Sequence, residues 1–278
     1  MSPFDSILHA FSAISTGGFS TISASIGGFN LPIQIVTILF MFLGGVNFVL
    51  LYRFLRTDYQ PLLQNTEFKL YLKIFILIAG FMFLELVMEG VSTPGALLHG
   101  FFQSAAVISS TGYSTMAITS LSLASQIVFI GVMFVGGSLG STSGGVKIFR
   151  LKTMMELLRT RLRAYKLPES AINEVKIDGE IVEESTVRTI SVLFFAWLAV
   201  IFLSTVLVSI ADNVSLIGAL SRSVSAAGNM GPVYMESMEM IDLSAFSKIV
   251  WVIVMLAGRL EMLPMLAIFN RQLFEDSQ

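Results

Sequence analysis

The chain has 278 residues, of which 54% are hydrophobic and 13% are charged, with a mean hydropathy of +0.79 and a formal net charge of −2. A soluble domain carries about a quarter charged residues, so this composition excludes a soluble globular protein and indicates an integral membrane protein. Zero cysteines and two histidines exclude disulfides, thiolate metal sites and His-based metal sites, and the segregated charges do not indicate nucleic-acid binding.

Apolar runs separated by breaker residues predict alternating long and short helices along the chain. Stretches without any charged residue run from Leu31 to Tyr52, from Tyr113 to Val146 and from Thr189 to Ala211. Each is long enough to cross ~30 Å of hydrocarbon at ~1.5 Å per residue. The predicted fold class is therefore an all-α integral membrane protein, built from repeated units of span, pore helix, filter-like turn and span around a pseudo-symmetric cation pore.

The predicted elements follow one another in a regular order. They are a short helix at 3–15, a Gly-rich turn at 16–29, spans at 31–56 and 66–91, a short helix at 94–109, a turn at 110–116, a long apolar segment at 122–160, a polar connector at 161–183, a span at 184–211, a short helix at 213–226, a turn at 227–235 and a span at 244–273. The corresponding parts of the chain are 1–60, 61–160, the connector 161–183 and 184–278.

A glycine-centred motif occurs three times between apolar segments. The matched glycines are Gly18, Gly112 and Gly231, and the polar residues nine positions earlier are His9, Gln103 and Arg222. Such repetition indicates one structural unit used three times. Each short helix would direct its partially negative C-terminal end toward a central cation, and the glycine-containing turn would supply backbone carbonyls as ligands. The alternative interpretation is a set of loops that pack neighbouring helices closely.

The predicted filter residues come from the three turns. They are Thr16, Gly17, Gly18, Ser110, Thr111, Gly112, Asn229, Met230 and Gly231. The first two turns combine threonine, glycine and an aromatic residue, Phe19 or Tyr113, and we expect the aromatic ring to wedge the turn outward while the threonine hydroxyl adds a ligand. The third turn keeps only the glycine.

The stretch 136–145 contains five glycines in ten residues and is not compatible with an undisturbed helix. A phosphate-binding loop is one alternative, but that motif needs lysine directly after glycine, and here Val146 separates Gly145 from Lys147. A kink for close helix packing is another. The interpretation we favour is a loop beneath the filter that acts as a constriction.

Equivalent spacing connects this loop to an arginine. Gly140 lies 28 residues after Gly112, Arg259 lies 28 residues after Gly231, and the corresponding position in the first unit is Val46. The predicted gate residues are therefore Gly136, Gly137, Gly140, Ser141, Thr142, Gly144, Gly145 and Arg259. A structural ion pair of Arg259 with Glu261 or Glu85 is the alternative role for this intramembrane arginine.

Basic residues predict the orientation. Fourteen of the 17 Lys and Arg residues fall on one side of the predicted spans, which is therefore the cytoplasmic side of a multi-pass plasma-membrane protein. The polar stretch 152–183 lies on that side next to the broken helix, so we expect it to bind a regulatory partner; a solvated linker is the alternative.

Three stretches carry a resemblance to a known family. HAFSAISTGG (9–18), GGSLGSTSGGVKIFR (136–150) and AGRLEMLPML (257–266) resemble the Trk/Ktr/HKT superfamily of K⁺ uptake proteins, and TrkH-like membrane subunits most closely. That family has four units with four filter glycines. Gly18, Gly112 and Gly231 match the second, third and fourth, so the first unit is expected to be missing from this chain.

The resemblance implies K⁺ uptake, with K⁺ ions at the filter residues as the only bound metal, no covalent cofactor and no enzymatic activity. It also implies Na⁺ or H⁺ as further ions, a cytoplasmic nucleotide-binding regulatory subunit, a homodimer in membrane lipid, and a gating loop at 136–145. Two alternatives stay open. One is a non-conducting fragment of such a transporter, and the other is a secondary transporter with re-entrant hairpins.

Overall fold

The computed structural model describes residues 1–166, 174–231 and 241–260. The predicted elements at 227–235 and 244–273, and part of the 161–183 connector, lie outside these residues. The helices are α1 (Pro3–Ile14), α2 (Leu31–Gly44), α3 (Phe48–Arg56), α4 (Gln60–Gln64), α5 (Thr66–Met88), α6 (Thr93–Ile108), α7 (Leu123–Val135), α8 (Ile148–Ala164), α9 (Glu184–Asp212), α10 (Leu216–Gly228) and α11 (Ala245–Leu260). The connector contains an antiparallel hairpin of β1 (Lys176–Ile177) and β2 (Glu180–Ile181).

The short helices begin at polar capping residues. Ser2 caps α1 in a capping box with Asp5, and Pro3 occupies the first helical position. The predicted start of the third short helix at Asp212-Asn213 is wrong. Asn213 instead ends α9 in the left-handed region with φ +48°, and the hydroxyl of Ser215 caps α10 by accepting a bond from the Gly218 N–H.

The single span predicted at 31–56 is also wrong, because the chain bends by 109° between α2 and α3. Hydropathy could not detect this break, since the residues on both sides of it are apolar. Gly45 ends α2, and Asn47 starts α3 by accepting bonds from the Val49 and Leu50 N–H groups. Among the described residues, α5 and α9 are each long and apolar enough to cross a membrane, and the bent pair gives a third span if it counts as one.

The helices pack as pairs around a shared core. Helix α5 lies along α6, and α10 packs between α9 and α11. The core includes fully buried side chains such as Tyr71, Met82 and Phe102. Large apolar side chains on the outer faces remain exposed, for example Leu77 at 61% and Phe202 at 67%, which is the pattern of helices that face lipid.

Candidate functional site

Helices α1, α6 and α10 end in one backbone geometry. In each, the residue after the helix has a positive φ, its N–H bonds back three residues, and the next N–H bonds back five residues, which is a Schellman motif. The left-handed residues are Thr16 (φ 53°), Ser110 (φ 60°) and Asn229 (φ 52°). The five-residue bonds run from Gly17 to Ser12 (2.8 Å), from Thr111 to Ala106 (2.9 Å) and from Met230 to Ser225 (3.0 Å).

The matched glycines give each turn a second left-handed residue. Their φ values are 71° at Gly18, 82° at Gly112 and 90° at Gly231. A Cβ atom placed on Gly18 would lie 1.8 Å from the Thr111 carbonyl oxygen, so the first two turns approach at backbone distance. A Cβ on Gly231 would lie 4.0 Å from the Gly112 Cα atom, which brings the third turn to the second. The three turns therefore converge.

One cavity of about 510 Å³ lies between the turns. Every predicted filter residue except Ser110 lines it, together with Arg222 of α10 and Arg259 of α11. Ser110 is buried, and its hydroxyl has no hydrogen-bond partner within the described part of the chain. The carbonyl ends of three helices around one cavity give it a negative potential that favours a cation.

The aromatic residues of the first two turns behave differently. Tyr113 is buried, its ring stacks on His9 at 5.9 Å, and its hydroxyl donates to the Phe19 carbonyl at 3.0 Å. This contact ties the first turn to the second. The Phe19 side chain is 81% exposed, so the expected wedge is wrong for Phe19.

The carboxylate of Asp5, at the start of α1, accepts hydrogen bonds from the hydroxyls of Ser2 and Thr21. These two bonds lower the pKa of Asp5, with the Ser2 bond the larger cause. The start of this pore helix therefore carries a stable negative charge at neutral pH.

Residues 136–147 form a non-helical loop between α7 and α8, and Thr142 places it against the first turn. The Thr142 carbonyl accepts from the Thr16 hydroxyl at 2.9 Å and from Arg259 Nη1 at 3.3 Å. The Thr142 hydroxyl has the Ile14 and Gly44 carbonyl oxygens at 2.9 and 3.1 Å. One peptide thus connects the loop with parts of the first and last units.

The loop glycines allow very close packing. A Cβ on Gly136 would lie 2.1 Å from the Gly144 carbonyl oxygen, because the loop folds back on its own start. A Cβ on Gly144 would lie 1.7 Å from the carbonyl oxygen of Gly228, the last residue of α10. The loop therefore rests directly on the end of the third pore helix.

A second cavity of about 370 Å³ lies on the other side of the loop. Five of the predicted gate residues of the loop line it, namely Gly140, Ser141, Thr142, Gly144 and Gly145, whereas Gly136 and Gly137 are buried at the loop start. Arg259 lines this cavity and the one between the turns, so it lies between them. Of its alternative partners, Glu261 is outside the described residues, and Glu85 accepts a bond from the Ser122 N–H.

Sequence reasoning missed three residues that hold the loop. Lys147 Nζ contacts the Ser143 carbonyl, and Asn47 Nδ2 donates to the Leu139 carbonyl at 2.7 Å. The buried carboxylate of Glu67 accepts from the Leu139 N–H. The 28-residue spacing pointed to Val46 and could have identified Asn47 beside it, whereas Glu67 carries no comparable signal.

Comparisons with known proteins agree with one another. The sequence model of the TrkH family, described as cation transport protein, matches residues 1–277. The Trk system potassium uptake protein TrkI of Halomonas elongata is 31% identical over 97% of this chain and 56% of its own length. TrkH of Vibrio parahaemolyticus is 29% identical over 97% of this chain and 57% of its own. The crystal structure of the potassium transporter TrkH from Vibrio parahaemolyticus superimposes with a TM-score of 0.87 at 26% identity, covering 97% of this chain and 59% of that one. The chain thus spans a little over half the length of these relatives.

Proposed function

Because the chain belongs to the TrkH family of cation transport proteins, we propose that it forms most of a pathway for K⁺ uptake across the cell membrane. The observation that carries this proposal is the repeated Schellman turn, since three helix C-termini with the same backbone geometry surround one cavity. Helix C-termini favour cations, whereas a transporter of anionic substrates would direct helix N-termini at its site. The relatives are named potassium uptake proteins, and we infer a transporter rather than an enzyme.

Within this pathway we assign K⁺ binding to the carbonyl groups around Gly18, Gly112 and Gly231. Carbonyl oxygens replace the hydration shell of K⁺, and a left-handed glycine lets the backbone adopt the required turn. The other residues of the three turns support these carbonyls. Na⁺ and H⁺ are the further ions to be tested, and no covalently bound cofactor is needed.

The test is cation flux through the protein reconstituted in liposomes with a K⁺ gradient. We expect K⁺ to move and the Gly112→Ser variant to be less selective for K⁺ over Na⁺, because a side chain on a left-handed residue distorts the turn. Absence of K⁺ flux from the wild type would contradict the transport proposal and favour a non-conducting protein. Unchanged permeability ratios in Gly112→Ser would contradict the filter assignment alone.

We assign the gate to the 136–147 loop together with Arg259. A guanidinium donates up to five hydrogen bonds in a fixed fork, so it can hold loop carbonyls while its charge opposes a cation leaving the filter. The bond from Arg259 to the Thr142 carbonyl and the position of Arg259 between the two cavities support this assignment.

We further propose that the basic side is cytoplasmic, that the connector binds a nucleotide-binding regulatory subunit, and that the complete protein is a homodimer. The connector hairpin is close to the loop machinery, because Asp178 Oδ1 lies 3.5 Å from Lys152 Nζ of α8. Deletion of residues 165–180 is expected to abolish activation by nucleotide while protein abundance stays unchanged. Full activation of the deletion variant would contradict a docking role.

A further inference from the structure

Glu67 is a buried carboxylate at the start of α5, with 7% of its surface exposed. An acidic residue in a first helical turn ordinarily serves its own helix. In α5, however, the side chain of Asn65 caps the helix by accepting from the Phe68 N–H at 2.8 Å. Glu67 Oε1 instead accepts from the Leu139 N–H at 2.7 Å and from the Phe149 N–H at 3.2 Å. Its bonding partners are therefore 72 and 82 residues away.

The two partners of Glu67 stand on opposite sides of the loop tip. Leu139 lies in the arm that leaves α7, and Phe149 is the second residue of α8. The first N–H groups of a helix have no partner within the helix, and α8 has no side-chain cap at its N-cap residue, Lys147. One carboxylate therefore caps α8 and holds the incoming arm, so residues 140–148 form a lobe closed at its base.

The same position connects the lobe to the connector. Thr66, beside Glu67, accepts a hydrogen bond from Lys152 of α8, and Lys152 also pairs with Asp178 of the hairpin at 3.5 Å. The start of α5, the first turns of α8 and the hairpin are thus held together at the base of the lobe. The tip, by contrast, is held by contacts of Thr142 to other units.

We infer that Glu67 is a positioning residue of the gate, which fixes the base of the lobe so that the tip reaches the underside of the filter. The inference rests on the proposed function only for its flux readout. The reach of the carboxylate decides the effect. Asp is one methylene shorter and cannot hold both N–H groups, whereas Gln loses the charge but keeps an acceptor oxygen at the same reach.

The experiment compares Glu67→Asp and Glu67→Gln in the full protein. The chain contains no cysteine, so Ser141→Cys introduces a single thiol at the tip whose rate of modification reports tip exposure. We expect Glu67→Asp to raise the modification rate and the flux without activator by about tenfold, the scale of losing a bond to a charged acceptor, and Glu67→Gln to stay near the wild type. Glu85→Asp is the matched control, since Glu85 is on the same helix and accepts from the Ser122 N–H far from the loop.

A modification rate that is equal in Glu67→Asp and Glu85→Asp would overturn the inference, as would a larger effect of Gln than of Asp. If the wild type carries no K⁺ while Glu67→Asp still exposes the tip, the transport proposal fails and the positioning role stands.

Discussion

The three turns and the three positions 28 residues after them solve opposite problems. At the turns, the different residues Thr16, Ser110 and Asn229 adopt one backbone geometry. At the later level, each unit has its own structure. The first unit is broken between α2 and α3, the second contains the loop around Gly140, and the third continues as α11 with Arg259 on it. Chemically different side chains thus give one conformation, and equivalent positions give three.

This difference indicates which task needs symmetry. A carbonyl-lined ion site needs equivalent backbone from each unit, because one misplaced turn removes ligands from the shared cavity. Closing a pathway needs only one movable element and a charge to oppose the ion. We therefore expect substitutions at the turns to be severe and substitutions at the later level to change flux without destroying the site.

The largest effect is expected from Gly18→Ala. Its Cβ would lie 1.8 Å from the Thr111 carbonyl oxygen, a distance that no real side chain tolerates, so cation flux should be lost. Gly231→Ala is the matched control, because both glycines have positive φ but the nearest atom to a Cβ on Gly231 is 4.0 Å away. Rb⁺ uptake into liposomes at equal protein content measures both. Equal losses in the two variants would show that conformation, not the close approach, sets the sensitivity.

The second effect concerns Arg259→Ala and a loop shortened by two or three residues. A unit charge ~4 Å from K⁺ at an effective dielectric of ~20 opposes the ion by ~4 kcal/mol, so removing even part of this barrier should raise flux by about tenfold. The two changes together should add little to either alone, because both remove one barrier. Additive effects in this double-mutant comparison would separate Arg259 from the loop.

The smallest effect is expected from Ser110→Gly. Ser110 combines φ 60° with a buried hydroxyl that has no partner among the described residues, and glycine removes both costs. The left-handed strain of ~1–2 kcal/mol is partly offset by the greater freedom of glycine in the unfolded chain, so a net gain of about 0.5 kcal/mol is expected. Thermal unfolding in detergent measures it, and a lower unfolding temperature would indicate that the hydroxyl is used.

Much of the architecture was predictable from local patterns. Long uncharged runs predicted the all-α membrane fold, which the TrkH comparisons confirm, and Ser2-Pro3 predicted the start of α1. The glycine spacing located all three turns because each depends on a few neighbouring residues. Arg259 was singled out by the same arithmetic, and its bond to the Thr142 carbonyl agrees with the pairing that was predicted.

What could not be predicted depends on contacts distant in sequence. The bend after Gly44 is stabilised by contacts with the loop about 90 residues later, such as the bond from Asn47 to the Leu139 carbonyl (|i−j| = 92). Glu67 looks like an ordinary first-turn acid until the chain brings Leu139 and Phe149 to it. Local propensity has no information on such partners, so sequence reasoning gave one continuous span and no role for Glu67.

The contact of Gly144 with the end of α10 has a thermodynamic consequence. Because the loop rests on the Gly228 carbonyl, displacing the loop changes the packing of a helix whose next residues are part of the third turn. Ion occupancy and loop position are then linked equilibria, and linkage is reciprocal. Whatever factor loop displacement applies to the affinity for K⁺, bound K⁺ must apply to the equilibrium of the loop, so the transported ion is itself an effector of the gate.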